Sequence, residues 1–283
     1  QQDSAYLPIA VAWDMRGHGC SPGPRGYADN YYDHVRDLDA FVKFVSREYR
    51  IPVENMVLVA NSVGAVTAAA WVHDYAPRIR AMILAAPAFR IRLYVPFAIP
   101  GLRLLGKIRP RANISSYVKS KMLTHDAEQA QLYDGDELIT RNIAVNVLLG
   151  LHDLSTRIVA DAGAITTPTL ILSAGKDWVV RNSAQREFYE NLSSDVREME
   201  VYPGFFHAVL YEQGREAAFA RSREFITEAF ERDVDRRHLL RADRTGCSRD
   251  EHLRLCARPS LWSGIRFGLQ KLGMRTLGRL STG

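Results

Sequence analysis

Three observations assign this chain to the α/β class with a mostly parallel sheet. Short apolar runs at 8–13, 56–60, 81–86 and 169–172 are separated by segments with helical spacing, the rhythm of strand–helix–strand units joined by right-handed crossovers. The central runs, 56–60 (MVLVA) and 81–86 (AMILAA), have no polar break, as expected of parallel strands covered on both faces. The first of these two passes through Asn61-Ser62-Val63-Gly64 directly into a helix rich in alanine, with Ala65, Ala68, Ala69 and Ala70.

Bulk properties narrow the class further. The 283 residues suffice for one large or two small domains, and 47% hydrophobic with 24% charged residues is ordinary for a soluble globular chain. No apolar run is long enough to span a membrane and no signal peptide opens the sequence. Cys20, Cys247 and Cys256 lack paired spacing, which argues against a disulfide framework or a zinc site and fits a reducing, cytoplasmic compartment. The net charge of +5 is uneven. Residues 232–283 hold twelve Lys and Arg against five Asp and Glu, a balance of +7, which leaves −2 for residues 1–231. The basic character belongs to a tail, and the tail lacks the interleaved aromatics of a nucleic-acid surface.

In chain order, 8–13 (PIAVAW) reads as a short strand running into the Gly/Pro-rich loop 16–24. From 29 to 49, Val35, Leu38, Val42 and Val45 share one face of a surface helix that stops before Pro52. Residues 56–60 form the next strand, and 81–86 the one after. The rhythm then breaks. From 88 to 165 no buried strand is expected; the segment mixes Phe89, Tyr94 and Phe97 with arginines and prolines, and 139–160 reads as helix. An insertion of this size between strands is a lid or a second domain. Its aromatics are expected mainly to pack a helical cap, with a few facing a substrate. The sheet resumes at 169–172, Asn182 caps a helix to about 192, and 196–202 is a strand near an edge. A helix from 215 to 230 closes the unit. Beyond it, Ser248 to Glu251 form a capping box, and 260–280 is a basic amphipathic segment suited to an anionic membrane or a neighbouring domain.

The chemistry gathers at strand ends. A serine in a tight strand-to-helix turn is either a helix cap or an exposed nucleophile. Asp177 follows the strand 169–172 and His207 follows the strand 196–202, so both belong to the same sheet edge as Ser62. A serine hydroxyl needs a histidine to take its proton, and the histidine needs a carboxylate to fix its tautomer. Alone, Asp177 would be a loop carboxylate and His207 a packed ring beside Phe205 and Phe206. The ordered triple Ser62, Asp177, His207 is the arrangement of a hydrolytic triad on an alternating sheet. His18, His73, His125 and His152 lack such context and read as structural or exposed.

The motifs WDMRGHGCSPGPRGY, LVANSVGA, LSAGKDWVV and GFFHAVLYE resemble the serine aminopeptidase, monoacylglycerol lipase and lysophospholipase branch of the α/β-hydrolase fold. The resemblance covers about 8–230, cap included. It implies Ser62 as nucleophile, Asp177 as acid, His207 as base and the Val63 backbone N–H as one oxyanion donor, with no metal or organic cofactor. It also implies a cap that admits acyl chains, and Phe89, Tyr94 and Phe97 are the candidate substrate contacts. The whole chain further resembles the hydrolase half of bacterial proteins fused to a SAM-dependent methyltransferase, with 1–231 as the hydrolase domain, 88–165 as its cap and 232–283 as a basic helical extension or linker.

Two departures accompany the resemblance. Ala60 stands where the family's elbow has its first glycine. The family's first strands and its His-Gly oxyanion loop would precede Pro8, where only seven residues are present, so the chain is expected to be a piece of something longer. Without the family's third strand, the strands at 8–13 and 56–60 would lack their shared partner and expose unpaired edges. The reading is a serine hydrolase of acyl esters of monoacylglycerol or lysophospholipid type, acting on a small-molecule or lipid substrate without nucleic acid. A peptidase of the aminopeptidase kind and a non-catalytic binding or scaffold module are the competing readings.

Overall fold

A computed structural model describes residues 9–232 of the chain. In order, the elements are α1 (Tyr32–Glu48), β1 (Val57–Asn61), α2 (Ser62–Tyr75), β2 (Ala81–Ala85), α3 (Ala98–Ile108), β3 (Asn113–Ser115), α4 (Ala127–Gly135), β4 (Asn142–Ala144), α5 (Val145–Ala160), β5 (Thr169–Ala174), α6 (Asn182–Asn191), β6 (Arg197–Tyr202) and α7 (Glu216–Glu231). Four strands form a parallel sheet in the order β1-β2-β5-β6, and β3 pairs with β4 antiparallel in the cap. The chain divides into two compact units, 1–239 and 240–283. The second unit lies outside the described residues, and with it the expectations about Cys247, Cys256, the capping box and the basic segment.

Alternation along β2 explains how one strand serves two cores. Met82 and Leu84 pack with α1, α2, α5 and α6, while Ala81, Ile83 and Ala85 face Tyr202 and the Phe225 side of α7. All five residues of β2 are fully covered, and each large side chain buried this way contributes roughly 1.5–3 kcal/mol. On α2, Ala65, Ala68, Ala69 and Ala70 are buried, so the helix axis lies close over the strand that delivers it. Among the described residues no helix is long and apolar enough to cross a membrane.

Four expectations are corrected. The strand expected at 8–13 is absent from the described residues: 9–13 pair with nothing in the sheet, and Ile9 is exposed. β1 is not covered on both faces, with Val59 50% exposed, and among the described residues it is hydrogen-bonded only to β2, the unpaired edge expected where the family's third strand is missing. The helix drawn from 139 begins at Val145, because Ile143 pairs with Ile114 across β3–β4 and the Ala144 N–H bonds to the Gly26 carbonyl. Asn182 does not cap α6; Arg181 occupies that position, and the Asn182 amide reaches back to the Ala174 carbonyl at 2.7 Å.

Candidate active site

The strand-to-helix turn at Ser62 is sharp because of one residue's backbone. Asn61 is extended, with φ −121° and ψ 141°, whereas Ser62 has φ +52°. A non-glycine residue in the left-handed region costs of order 1–2 kcal/mol, and such strain persists only where the surroundings impose it. The strand before it and the buried alanine face after it supply that constraint. The Ser62 carbonyl also accepts the Ala88 N–H at 3.1 Å.

Asp177 and His207 sit on loops that leave β5 and β6. Their roots touch: a Cβ on Gly175 would lie 2.5 Å from the Pro203 Cα, so only glycine allows the approach. The Gly175 N–H bonds to the Tyr202 carbonyl at 2.8 Å and the Lys176 N–H to the Phe205 carbonyl at 3.0 Å. Asp177 is 4% exposed, and its Oδ1 accepts the Val179 and Val180 N–H groups at 2.7 and 2.9 Å. Its Oδ2 lies 2.8 Å from His207 Nδ1, and His207 Nε2 lies 2.8 Å from Ser62 Oγ. With the carboxylate ionised, it can only accept, so a neutral ring carries its proton on Nδ1 and leaves Nε2 to accept from the serine hydroxyl. The three side chains chosen from the sequence are thus joined in one hydrogen-bonded chain.

Val63, half-buried in the first turn of α2, is held from the α1 side. The Tyr31 hydroxyl, forced up from its usual titration range by burial, donates to the Val63 carbonyl at 3.3 Å and lies 3.2 Å from Thr67 Oγ1. Gly150 of α5 makes room for it, since a Cβ there would meet the Tyr31 Cβ at 2.6 Å.

The cap aromatics divide. Phe89 is a core residue, 2% exposed and packed on the Phe188 ring at 4.3 Å, and the expectation that it contacts substrate gives way to that packing. Tyr94 is exposed and donates to the Trp178 carbonyl at 2.5 Å, beside Asp177. Phe97 is 85% exposed, at the N-terminus of α3. Of the other histidines, His18 bonds through its ring to the Arg16 carbonyl and His73 sits against Asp74. His125 lies on the Phe206 ring with centroids 3.7 Å apart and its Nδ1 3.0 Å from Glu212. Sequence reasoning passed over Glu212. The available signal was a carboxylate five residues after His207 in a segment otherwise apolar, HAVLYE.

Comparison with known proteins places these features in context. A family model described as serine aminopeptidase, S33, matches residues 9–214, and one described as putative methyltransferase matches 222–283. The chain is 42% identical over 274 residues to YnbC of Escherichia coli K12, described as uncharacterized; the match covers 96% of this chain but 47% of YnbC, so the chain spans less than half of that relative. It is 24% identical over 206 residues to a monoacylglycerol lipase of Mycolicibacterium smegmatis, covering 72% of each. Among solved structures, the Paleococcus ferrophilus monoacylglycerol lipase superposes with a TM-score of 0.67 at 22% identity, over 76% of this chain and 81% of that one. A soluble variant of the Saccharomyces cerevisiae monoglyceride lipase gives 0.67 at 18% identity, over 76% of each. These likenesses carry the α/β-hydrolase fold.

Proposed function

The chain belongs to the serine aminopeptidase S33 family of α/β hydrolases, and on that premise we propose that it cleaves acyl esters through an acyl-enzyme on Ser62. The observation that carries the reading is the continuous chain from Asp177 through His207 to Ser62, each link at 2.8 Å. In the first half-reaction, Ser62 Oγ attacks the ester carbonyl as its proton passes to His207 Nε2. Asp177 stabilises the imidazolium that forms, and the Val63 N–H faces the developing oxyanion. The tetrahedral adduct collapses by breaking the bond to the alcohol, which leaves with the proton from Nε2. Water then attacks the acyl-serine, giving its proton to the same nitrogen, and the carboxylic acid departs as Ser62 recovers its hydrogen.

Charge in the first part of the cap favours an ester over a peptide with a free amino terminus, while the acidic residues of the cap gather in 126–165. Residues 88–125 include Arg90, Arg92, Arg103, Lys107, Arg109, Arg111, Lys119 and Lys121 and no Asp or Glu. Such a surface repels an α-ammonium group. The outward side of α3 combines exposed Leu104 and Ile108 with exposed Arg103 and Lys107, which supports a lipid-like substrate of monoacylglycerol or lysophospholipid type, met at an anionic lipid surface. Tyr94 and Phe97 are the side chains we assign to the acyl entrance.

The test is covalent labelling of the full chain with a fluorophosphonate, alongside turnover of p-nitrophenyl esters and monoacylglycerols. Labelling at Ser62 with ester turnover is the expected result. A folded protein that takes no label would instead be a scaffold, and amide cleavage without ester cleavage would make it a peptidase.

A further inference from the structure

Glu212 is a buried carboxylate that the proposed mechanism leaves unused. Its side chain is 1% exposed, yet its two oxygens collect donors from three directions. Oε2 accepts the Phe206 N–H at 2.9 Å and lies 3.0 Å from His125 Nδ1. Oε1 accepts the His125 N–H at 2.7 Å and the Gln213 N–H at 2.9 Å, with the Thr124 hydroxyl 3.2 Å away. That hydroxyl has one proton, and its shorter contact is to the Tyr211 carbonyl at 2.8 Å. Burial alone would raise the Glu212 carboxyl; the N–H groups of Phe206, His125 and Gln213 with the His125 ring outweigh it and hold the group below its usual range.

The identity of the donors gives this carboxylate a role beyond satisfying itself. Phe206 immediately precedes His207. On the other side of His207, the Ala208 N–H bonds to the Leu123 carbonyl at 2.8 Å. Both backbone N–H groups flanking the histidine are therefore anchored, one on Glu212 and one on the cap segment that Glu212 itself holds through the His125 N–H. Gln213 Nε2 to the His125 carbonyl at 3.1 Å and Arg215 to Asp126 at 2.8 Å close the same seam.

We propose that Glu212 is the positioning residue for the base: it fixes the loop that aims His207 Nε2 at Ser62 and makes that aim depend on the cap segment 123–126 being seated. The proposal rests on the reading of His207 as base. A triad hydrogen bond tolerates little displacement, and a misplacement of about 1 Å costs up to ~100-fold in rate. Replacing Glu212 by glutamine turns one acceptor oxygen into a donating amide NH2, which then confronts either the Phe206 N–H or the pair from His125 and Gln213.

The experiment compares the full chain with Glu212→Gln. Expected results are a fall in kcat of about 10- to 100-fold on a soluble p-nitrophenyl ester with KM within about twofold, and an equal fall in the rate constant of fluorophosphonate labelling. The low-field proton resonance of the His207–Asp177 hydrogen bond should broaden or vanish. A role in stability alone would lower the unfolding temperature while leaving kcat per folded molecule, labelling rate and resonance unchanged, and that outcome overturns the proposal. Should Glu212→Gln not fold, Glu212→Asp carries the test. It keeps the charge but is too short to hold the Phe206 and His125 N–H groups together, and the same three readouts apply. Failure of the wild-type protein to label would instead count against Ser62 and His207 themselves, which separates the two readings.

Discussion

Arg157 holds Asp74 with both terminal guanidinium nitrogens, Nη1 to Oδ1 at 2.8 Å and Nη2 to Oδ2 at 2.7 Å, and so ties the helix that follows Ser62 to the last helix of the cap. The Asp74 side chain is 5% exposed, and Tyr32 and His73 add further hydrogen bonds to it. Burial raises the Asp74 carboxyl, but those bonds outweigh it and bring the group well below the ordinary carboxylate range. Arg157→Ala leaves a buried carboxylate without its cation and is expected to cost about 2–4 kcal/mol, at the lower side of buried pairs because the guanidinium is partly exposed. Urea unfolding of the single variant against Arg157→Met/Asp74→Leu checks it, since the apolar pair should recover most of the loss. A single variant as stable as the wild type would remove the pair's role in joining α2 to α5.

The buried His34 gives the fold a pH dependence of determinate sign. Burial, followed by the nearby His18, lowers it to about 4, while Asp37 and Asp33 oppose and Arg16 adds to the shift. Among the described residues its Nδ1 has no hydrogen-bond partner, and Tyr31 lies edge-on at 5.1 Å. An unfolded histidine titrates near ~6.5, so between there and 4 the unfolded chain binds more protons. The contribution is therefore complete above about 6.5 and is lost as pH falls through 4, with a full swing of up to ~3 kcal/mol. His34→Phe should flatten the stability slope across this window relative to wild type. Chemical unfolding at pH 7 and pH 5 measures it, and parallel slopes would contradict it.

Ser62 supports two separable expectations. Ser62→Ala and His207→Ala should each lower ester turnover by several orders of magnitude, and Asp177→Asn by less. Ser62→Gly should be equally inactive but about 1 kcal/mol more stable than Ser62→Ala, because glycine occupies φ +52° without strain. Equal stability of the alanine and glycine variants would mean that the elbow stores no strain.

For the outer side of α3, the paired change Leu104→Ser/Ile108→Ser should weaken co-sedimentation with vesicles rich in anionic lipid. Turnover of p-nitrophenyl acetate should stay within about twofold, since neither side chain faces the triad in this reading. Reversing Lys107 and Arg109 to Glu should act in the same direction and more steeply at low salt. Vesicle binding unaffected by either pair would leave the exposed stripe without a lipid partner.

What the sequence disclosed follows physical range. The strands at β2 and β5 were legible because their residues are covered on both faces and need no polar alternation. The triad was legible because each member ends a strand of one parallel sheet, and parallel strands deliver their ends to the same edge. The segment 8–13 misled because apolar composition speaks for burial but not for a pairing neighbour. Phe89 misled because an aromatic at the cap boundary suits the core and the substrate equally, and only its packing on Phe188 separates them. Glu212 was opaque for another reason. Its place five residues after His207 marks it out, but most of its donors are backbone groups from 206, 213 and 125, and contacts made through the main chain do not show in the sequence what the carboxylate holds.

The close approach of Gly175 to Pro203 has a mechanical consequence. Because the two loop roots are locked together and cross-bonded, Asp177 and His207 travel as one body, whereas Ser62 rides on a different strand that, among the described residues, has a neighbour on one side only. Thermal displacement between these bodies cannot be absorbed in the His207–Asp177 link, and falls on the 2.8 Å gap between Nε2 and Oγ. Warming the protein should therefore degrade proton transfer from Ser62 before it disturbs the carboxylate–imidazole pair. The low-field imidazole resonance should then outlast the labelling rate as temperature rises.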